Sequence, residues 1–178
     1  MVDGNVRQLG GVTLKADWDE LVLLQFSTYR GTMRDVVAMP VMNGQNHEAT
    51  TFGLKVDIDN YLFMYEIADM KMGNLAMMKT DSWYVTFGYR IGNFMPNITF
   101  ENFQRGTPLV DDQDITTLGL RWDVLRDVAV KFEVSRIKLN AGRGLFDPAP
   151  TPGPSSNSVN MFGIGIGIGI GIGIDTVF

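Results

Sequence analysis

The sequence predicts an all-β protein, an antiparallel up-and-down transmembrane β-barrel, on three observations. Apolar and polar residues alternate with period two over long stretches such as 128–135, which marks strands whose two faces meet different surroundings. Tight turns and long polar loops follow each other in strict alternation, as they do in outer-membrane barrels. Aromatic residues stand near strand ends, where such rings border a membrane. These residues are Trp18, Tyr29, Tyr61, Trp83, Phe94 and Trp122.

About nine strands can be read along the chain, each bounded by turn or loop residues. The predicted strands cover 11–18, 20–30, 50–58, 61–70, 82–91, 94–104, 115–123, 127–138 and 158–178. Tight connections are predicted near Asp19, Asp59-Asn60, Gly92-Asn93 and Val124-Leu125-Arg126. Long polar connections are predicted at 31–49, 71–81, 105–114 and 139–157. Short periplasmic turns and long external loops would follow from this pattern.

Composition excludes several classes of function. The 178 residues suit one domain, and the absence of cysteine excludes disulfides, thiol catalysis and cysteine-based zinc sites. The net charge of -5, with 15 Lys and Arg, argues against a nucleic-acid partner. No stretch of eighteen apolar residues is present, so a transmembrane helix is not expected.

Charged side chains keep to one side of the predicted strands, while the other side is almost entirely apolar. In a barrel the apolar side faces lipid and the charges line the lumen, whereas a soluble sheet would bury the apolar side against a partner. The candidate pore-lining residues are Lys15, Lys55, Glu66, Arg90, Glu101, Arg121, Asp123, Lys131 and Glu133. They either set up a transverse field that orients polar solutes or pair across strands and stiffen the wall, worth about 0.2–1 kcal/mol each.

Two segments and the last residue resemble general-porin-like outer-membrane β-barrels of Gram-negative bacteria. The segments are Ser82 to Gly92 and Thr117 to Asp123 with the following strand 129–133, and the terminal Phe178 resembles the outer-membrane sorting signal. The likeness covers most of 10–178 and implies passive diffusion of small polar solutes or ions through a charged aqueous lumen. It also implies a place in the bacterial outer membrane, among lipid and lipopolysaccharide, after insertion by the barrel assembly machinery. A homotrimer would rest on the resemblance alone.

The last strand and the strand count both depart from the family pattern. Family barrels have an even strand number, so the chain is expected to be the C-terminal part of a larger barrel of roughly 16 strands. Gly163 to Ile174 is a pure Gly-Ile alternation that places every Ile on the side of Phe162 and Phe178. Residues 158–178 would extend to roughly 70 Å, whereas a membrane strand needs only about 9–11 residues. We interpret the segment as an expanded dipeptide repeat within an ordinary final strand.

Other candidate sites carry weaker signals. His47 has no evident catalytic or metal-binding partners and is expected in a solvated loop. Asp111, Asp112 and Asp114 are likewise expected in a solvated loop, because the EF-hand spacing is absent. The sequence therefore predicts no metal and no cofactor. The long loop 31–49 either folds inward as a constriction, caps the mouth or binds a partner.

Three alternatives to the porin stay open. A small non-conducting outer-membrane barrel would serve structure or adhesion through its external loops. A barrel enzyme such as a lipase or protease is disfavoured, since no nucleophile–base pair and no G-x-S-x-G motif is visible, and no enzymatic activity is expected. A soluble β-sandwich binding module is the third.

Overall fold

The computed structural model describes residues 5–34, 43–73, 79–106, 111–142 and 158–168. Each neighbouring pair of strands is antiparallel, and the sheet order follows the chain order, which confirms the predicted all-β up-and-down fold. No helix occurs in this described part, and hence none long and apolar enough to cross a membrane. The strands are β1 (Asn5–Trp18), β2 (Val22–Arg34), β3 (Asn46–Ile58), β4 (Tyr61–Met72), β5 (Lys79–Tyr89), β6 (Phe94–Arg105), β7 (Asp111–Leu125), β8 (Val128–Ala141) and β9 (Ser158–Ile168). The sheet is open, with β1 and β9 as its two edges.

Four tight turns join the strands at one end of the sheet, the turn end, and local chemistry explains them. Asp59 and Gly92 adopt left-handed φ angles of 54° and 59°, which Asp tolerates and Gly adopts at no steric cost. The β1–β2 turn is closed by the Leu21 N–H, which donates to the Trp18 carbonyl at 2.9 Å. The β7–β8 turn falls at 126–127 rather than at the predicted 124–126, since Leu125 still pairs with Val128.

Long connections join the strands at the opposite end, the loop end, and there the strands run further than predicted. β3 begins at Asn46 instead of 50, and β7 begins at Asp111 instead of 115. Polar residues occupy both faces at these ends, so the period-two signal fades although the ladder continues. Of the predicted loop 31–49, residues 31–34 and 46–49 are therefore strand, and 35–42 lie outside the described residues.

The pairing register places every candidate pore-lining residue on one face of the sheet, because directly opposed residues share a face. One row of opposed residues runs from Gln25 through Gly53, Glu66 and Tyr84 to Glu101. Each remaining candidate within a strand lies an even number of residues from this row, or directly opposes a residue that does, and therefore shares its face. We call this charged side the inner face and the opposite side the outer face.

Exposure is inverted relative to a soluble sheet. The buried residues of the described chain all belong to the inner face by register, as expected for the inside of a curved sheet. They are Gly31, Met33, His47, Ala49, Asp111, Gln113, Thr117, Ala129, Ile137 and Leu139. Large apolar side chains of the outer face are exposed instead, for example Phe132 at 41% and Leu118 at 59%.

The outer face is divided into an apolar band and a polar rim. On β4 the outward residues from the turn end are Tyr61, Phe63, Tyr65 and Ile67, followed by Asp69 and Lys71. On β8 they are Val128, Val130, Phe132 and Val134, followed by Arg136 and Lys138. We name the first four outward positions the apolar band and the following two, at the loop end, the polar rim.

Candidate pore wall on the inner face

The turn end of the inner face holds a bridged cluster of charges. Arg90 binds the Asp57 carboxylate in two places, with Nη2 to Oδ2 at 2.9 Å and Nη1 to Oδ1 at 2.5 Å. The Lys55 ammonium lies 3.3 Å from the same carboxylate. Asp57 is on β3 and Arg90 follows β5, so this pair spans β4. The hydrogen bond from Arg90 to Asp57 raises the pKa of the Arg90 guanidinium, which stays charged.

Replacing the shared carboxylate tests whether this cluster stiffens the wall. We expect Asp57→Ala to lower the free energy of unfolding by about 1–2 kcal/mol, because two cations lose a charge-assisted hydrogen-bond partner in a partly exposed setting. Urea titration of the chain folded in detergent micelles measures this. Asp127→Ala, in the exposed β7–β8 turn, is the control and should change stability by less than about 0.5 kcal/mol. Equal losses for the two variants would show that the cluster adds nothing.

Arg121, Asp123 and Lys131 form a second charged group on β7 and β8. Arg121 Nε donates to Asp123 Oδ1 at 2.7 Å, and Arg121 stands directly opposite Lys131. Lys131 in turn opposes Gly165 of the Gly-Ile repeat. Lys15 is exposed on the edge strand β1, opposite Gln25. The structure therefore separates Lys15 from the other candidates, places Glu133 between two glycines, and brings the rest into two charged clusters and one carboxylate group.

The carboxylate group lies midway along the strands. Glu66, Tyr84 and Glu101 are direct neighbours across β4, β5 and β6, and the Tyr84 hydroxyl donates to Glu66 Oε2 at 3.1 Å. They line a cavity of about 170 Å³, which we call the mid-wall cavity. Its other inner-face lining residues are Ala68, Ser82, Phe103, Gln113 and Ile115. No Lys or Arg of the described chain forms an ion pair with Glu66 or Glu101.

Glu133 lies between two glycines across the sheet, and the wall is open on the Gly163 side, whereas the Asn97 side chain covers Gly119. On β7 it faces Gly119 and on β9 it faces Gly163. A methyl group at Gly163 would only reach ordinary contact with Glu133, at 3.9 Å, so the wall has room there. The glycine side of the repeat thus forms a smooth strip next to Lys131 and Glu133.

The loop end of the inner face is more apolar and more buried than predicted. His47 is only 9% exposed, not in a solvated loop, and its ring stacks on Tyr29 with centroids 5.5 Å apart. Its Nδ1 is buried and has no hydrogen-bond partner among the described residues. Tyr29 therefore faces inward, and the prediction that it borders a membrane is wrong. Parity in the sequence marks both residues as inward: His47 shares the parity of Gly53 on β3, and Tyr29 shares that of Gln25 on β2.

The aspartates of β7 are strand residues, contrary to the solvated-loop prediction. Asp111 is buried on the inner face, 3.4 Å from Arg105, whose guanidinium lies 5.6 Å from the Phe103 ring centroid. Asp114 is on the outer face and accepts hydrogen bonds from Asn102 and Asn140, both at 2.8 Å. The described chain holds no group of three or more His, Cys, Asp or Glu placed to bind a metal.

The polar rim of the outer face is a network of ion pairs. Lys79 contacts Asp81 at 2.7 Å and Asp69 at 3.5 Å, while Lys71 contacts Asp69 at 3.3 Å. Strand β9, at 11 residues, places Phe162, Ile164 and Ile166 outward. The rest of the repeat and Phe178 lie outside the described residues, so the sorting-signal prediction stays a prediction.

Sequence reasoning missed three residues of the mid-wall cavity. Tyr84, Phe103 and Gln113 share the parity of the charged residues, but their aromatic and amide side chains carry no charge that marks them as inward groups. Parity alone would have found them. No family model matches the chain, and no curated protein is similar enough to it to count as a relative.

Proposed function

We propose that this sheet is a continuous part of the wall of a bacterial outer-membrane porin, through which small polar solutes or ions diffuse passively. The inverted exposure of the two faces carries this proposal. An exposed apolar band that crosses the outer face of the sheet is rare in monomeric soluble proteins and indicates a membrane or a protein partner. A charged inner face is what a water-filled lumen requires.

The aromatic border of the apolar band favours lipid over a protein partner. Four outward positions span seven residues, about 20 Å along the strand, while the apolar band of outer-membrane barrels is about 25 Å tall. Trp18, Tyr61, Phe94 and Trp122 stand at the turn-end border of the band, where an interfacial aromatic girdle is expected. The polar rim would then meet the headgroups and lipopolysaccharide of the external leaflet.

The strands are staggered in the sense that a tilted barrel wall requires. One row of opposed residues begins next to the turn in β1 and ends at the loop-end limit of the band in β9. This row is Trp18, Val22, Val56, Phe63, Phe87, Ile98, Leu118, Val134 and Phe162. Between β1 and β9 the row shifts by six residues toward the loop end, because on β9 it reaches Phe162 while Ile168 lies at the level of the turn. Six residues are about 20 Å, and the shift accumulates over eight interstrand spacings of about 4.8 Å each. The strands therefore incline by about 30° to the band, near the 35–45° of barrels.

The edges of the sheet support a larger barrel. Lipid does not tolerate unpaired strand edges, and β1 and β9 run in the same direction because an even number of antiparallel steps separates them. Antiparallel closure then needs an odd number of further strands, and seven would make the sixteen of a general porin. Assembly through Phe178 by the barrel assembly machinery belongs to the same proposal.

Single-channel recording in planar bilayers tests the function. We expect stable ohmic steps from a form that supplies the missing strands, and none from the nine-stranded chain alone. Heat-modifiable migration in gel electrophoresis confirms that each preparation is folded. Folded, inserted protein that never conducts in either form would overturn the porin and leave the small structural or adhesive barrel.

A further inference from the structure

We infer that the mid-wall cavity is a binding site for small organic cations, of the ammonium or guanidinium class, and that it makes the pore prefer cations to anions. Only the cation preference of the pore rests on the proposed porin function, since binding of a cation to the cavity does not need a complete pore. Charge, aromatic surface and cavity size each point to this ligand class.

Ion pairs occur toward both ends of the inner face but not in the middle. At the turn end Asp57 contacts both Arg90 and Lys55, and Arg121 contacts Asp123, while at the loop end Arg105 contacts Asp111. Paired opposite charges cancel each other's field within a short distance. The Glu66 and Glu101 carboxylates form no ion pair with a described Lys or Arg, so no adjacent cation cancels the negative charge in the middle of the wall.

Phe103 on the loop side of the cavity already accepts a cation from within the chain. The Arg105 guanidinium lies 5.6 Å from the Phe103 ring centroid, within the range of a cation–π contact, and its charge is matched by Asp111 at 3.4 Å. The same combination of an aromatic ring with a carboxylate recurs one step along the wall, where Tyr84 stands between Glu66 and Glu101. A solute cation at that position would repeat a contact that the protein makes itself.

The lining of the cavity selects an organic cation over a metal ion. Divalent metals need several oxygen ligands around one point, and the described chain offers no group of three acidic or imidazole side chains so arranged. Ala68 and Ile115 add apolar surface beside the carboxylates, which suits the carbon chain of an amine. Glu66 and Glu101 lie two strand spacings apart, about 10 Å, so a short diamine can reach both.

Binding and selectivity are tested separately on the double variant E66Q/E101Q. Calorimetric titration of the detergent-folded chain with 1,4-diaminobutane should show binding in the unmodified chain and its loss in the variant. In the conducting form, the reversal potential across a KCl gradient should show a cation preference that falls about two- to fivefold in the variant. Glu48→Gln is the matched control, because Glu48 is an outer-face carboxylate paired with Arg30, and it should alter neither result.

The outcomes separate this inference from the proposed function. A pore that conducts without cation preference, in a chain that binds no diamine, overturns the inference and leaves the porin intact. Diamine binding that is lost in E66Q/E101Q, in protein that never conducts, supports the site and overturns the porin. Tyr84→Leu, which keeps both carboxylates, should weaken binding, and undiminished binding would remove the aromatic part of the account.

Discussion

Phe132→Arg should destabilise the membrane-inserted protein by about 2–4 kcal/mol, the cost of an arginine on the lipid face near the bilayer midplane. Phe132 is the third outward residue of β8, 41% exposed, with Val130 and Val134 on the same face. An arginine there has no protein partner and must be desolvated or drawn to the interface. The measurement is the folded fraction in lipid vesicles across a urea series.

Glu133→Arg is the matched control, one residue further along the same strand. Glu133 faces inward between Gly119 and Gly163, so an arginine there keeps off the apolar outer face and should cost less than about 1 kcal/mol. If both arginines cost the same, or if Phe132→Arg raises solubility and stability without lipid, the outer face does not contact a bilayer.

Deletion of Gly163 alone should destabilise the protein by at least about 3 kcal/mol. A one-residue slip flips every later side chain to the other face, so Ile164 and Ile166 would leave the lipid side. Each loses about 1.5–3 kcal/mol of apolar burial, and the glycines that replace them bury nothing. Urea unfolding in vesicles measures the loss.

Deletion of Gly163 and Ile164 together is the control for this change. It shortens the repeat by one full unit and preserves the face of each remaining residue, so stability should change by less than about 1 kcal/mol. Equal stability of the two deletion variants would contradict the assignment of faces in β9.

The number and order of the strands, and the apolar and polar side of each, could be predicted because these features depend on the local sequence pattern. Alternation fixes which residues share a face, and Asp59 and Gly92 mark turns through their tolerance of left-handed backbone. The register between strands could then be anticipated from the turns. For this reason the nine predicted pore-lining residues lie on one face, and their contact with a lumen remains a proposal.

The loop ends and the pairing of charges could not be predicted. Asp111 to Asp114 extend β7 because their backbone pairs with β6, although their side chains carry no strand signal. The bond between Asp57 and Arg90 joins residues 33 apart across an intervening strand, which requires the register and curvature of three strands together. The burial of His47 likewise depends on residues far along the chain, such as Tyr29.

The inversion of the two faces is the central claim, and spin labelling of β8 tests it most directly. The chain has no cysteine, so single cysteines can be placed at each position from 130 to 135 and labelled with a nitroxide in vesicles. Accessibility to oxygen should peak at Val130, Phe132 and Val134, and accessibility to a water-soluble nickel chelate should peak at 131, 133 and 135. Loss of this alternation, or nickel accessibility greatest at the apolar positions, would contradict a sheet with lipid on one side and water on the other.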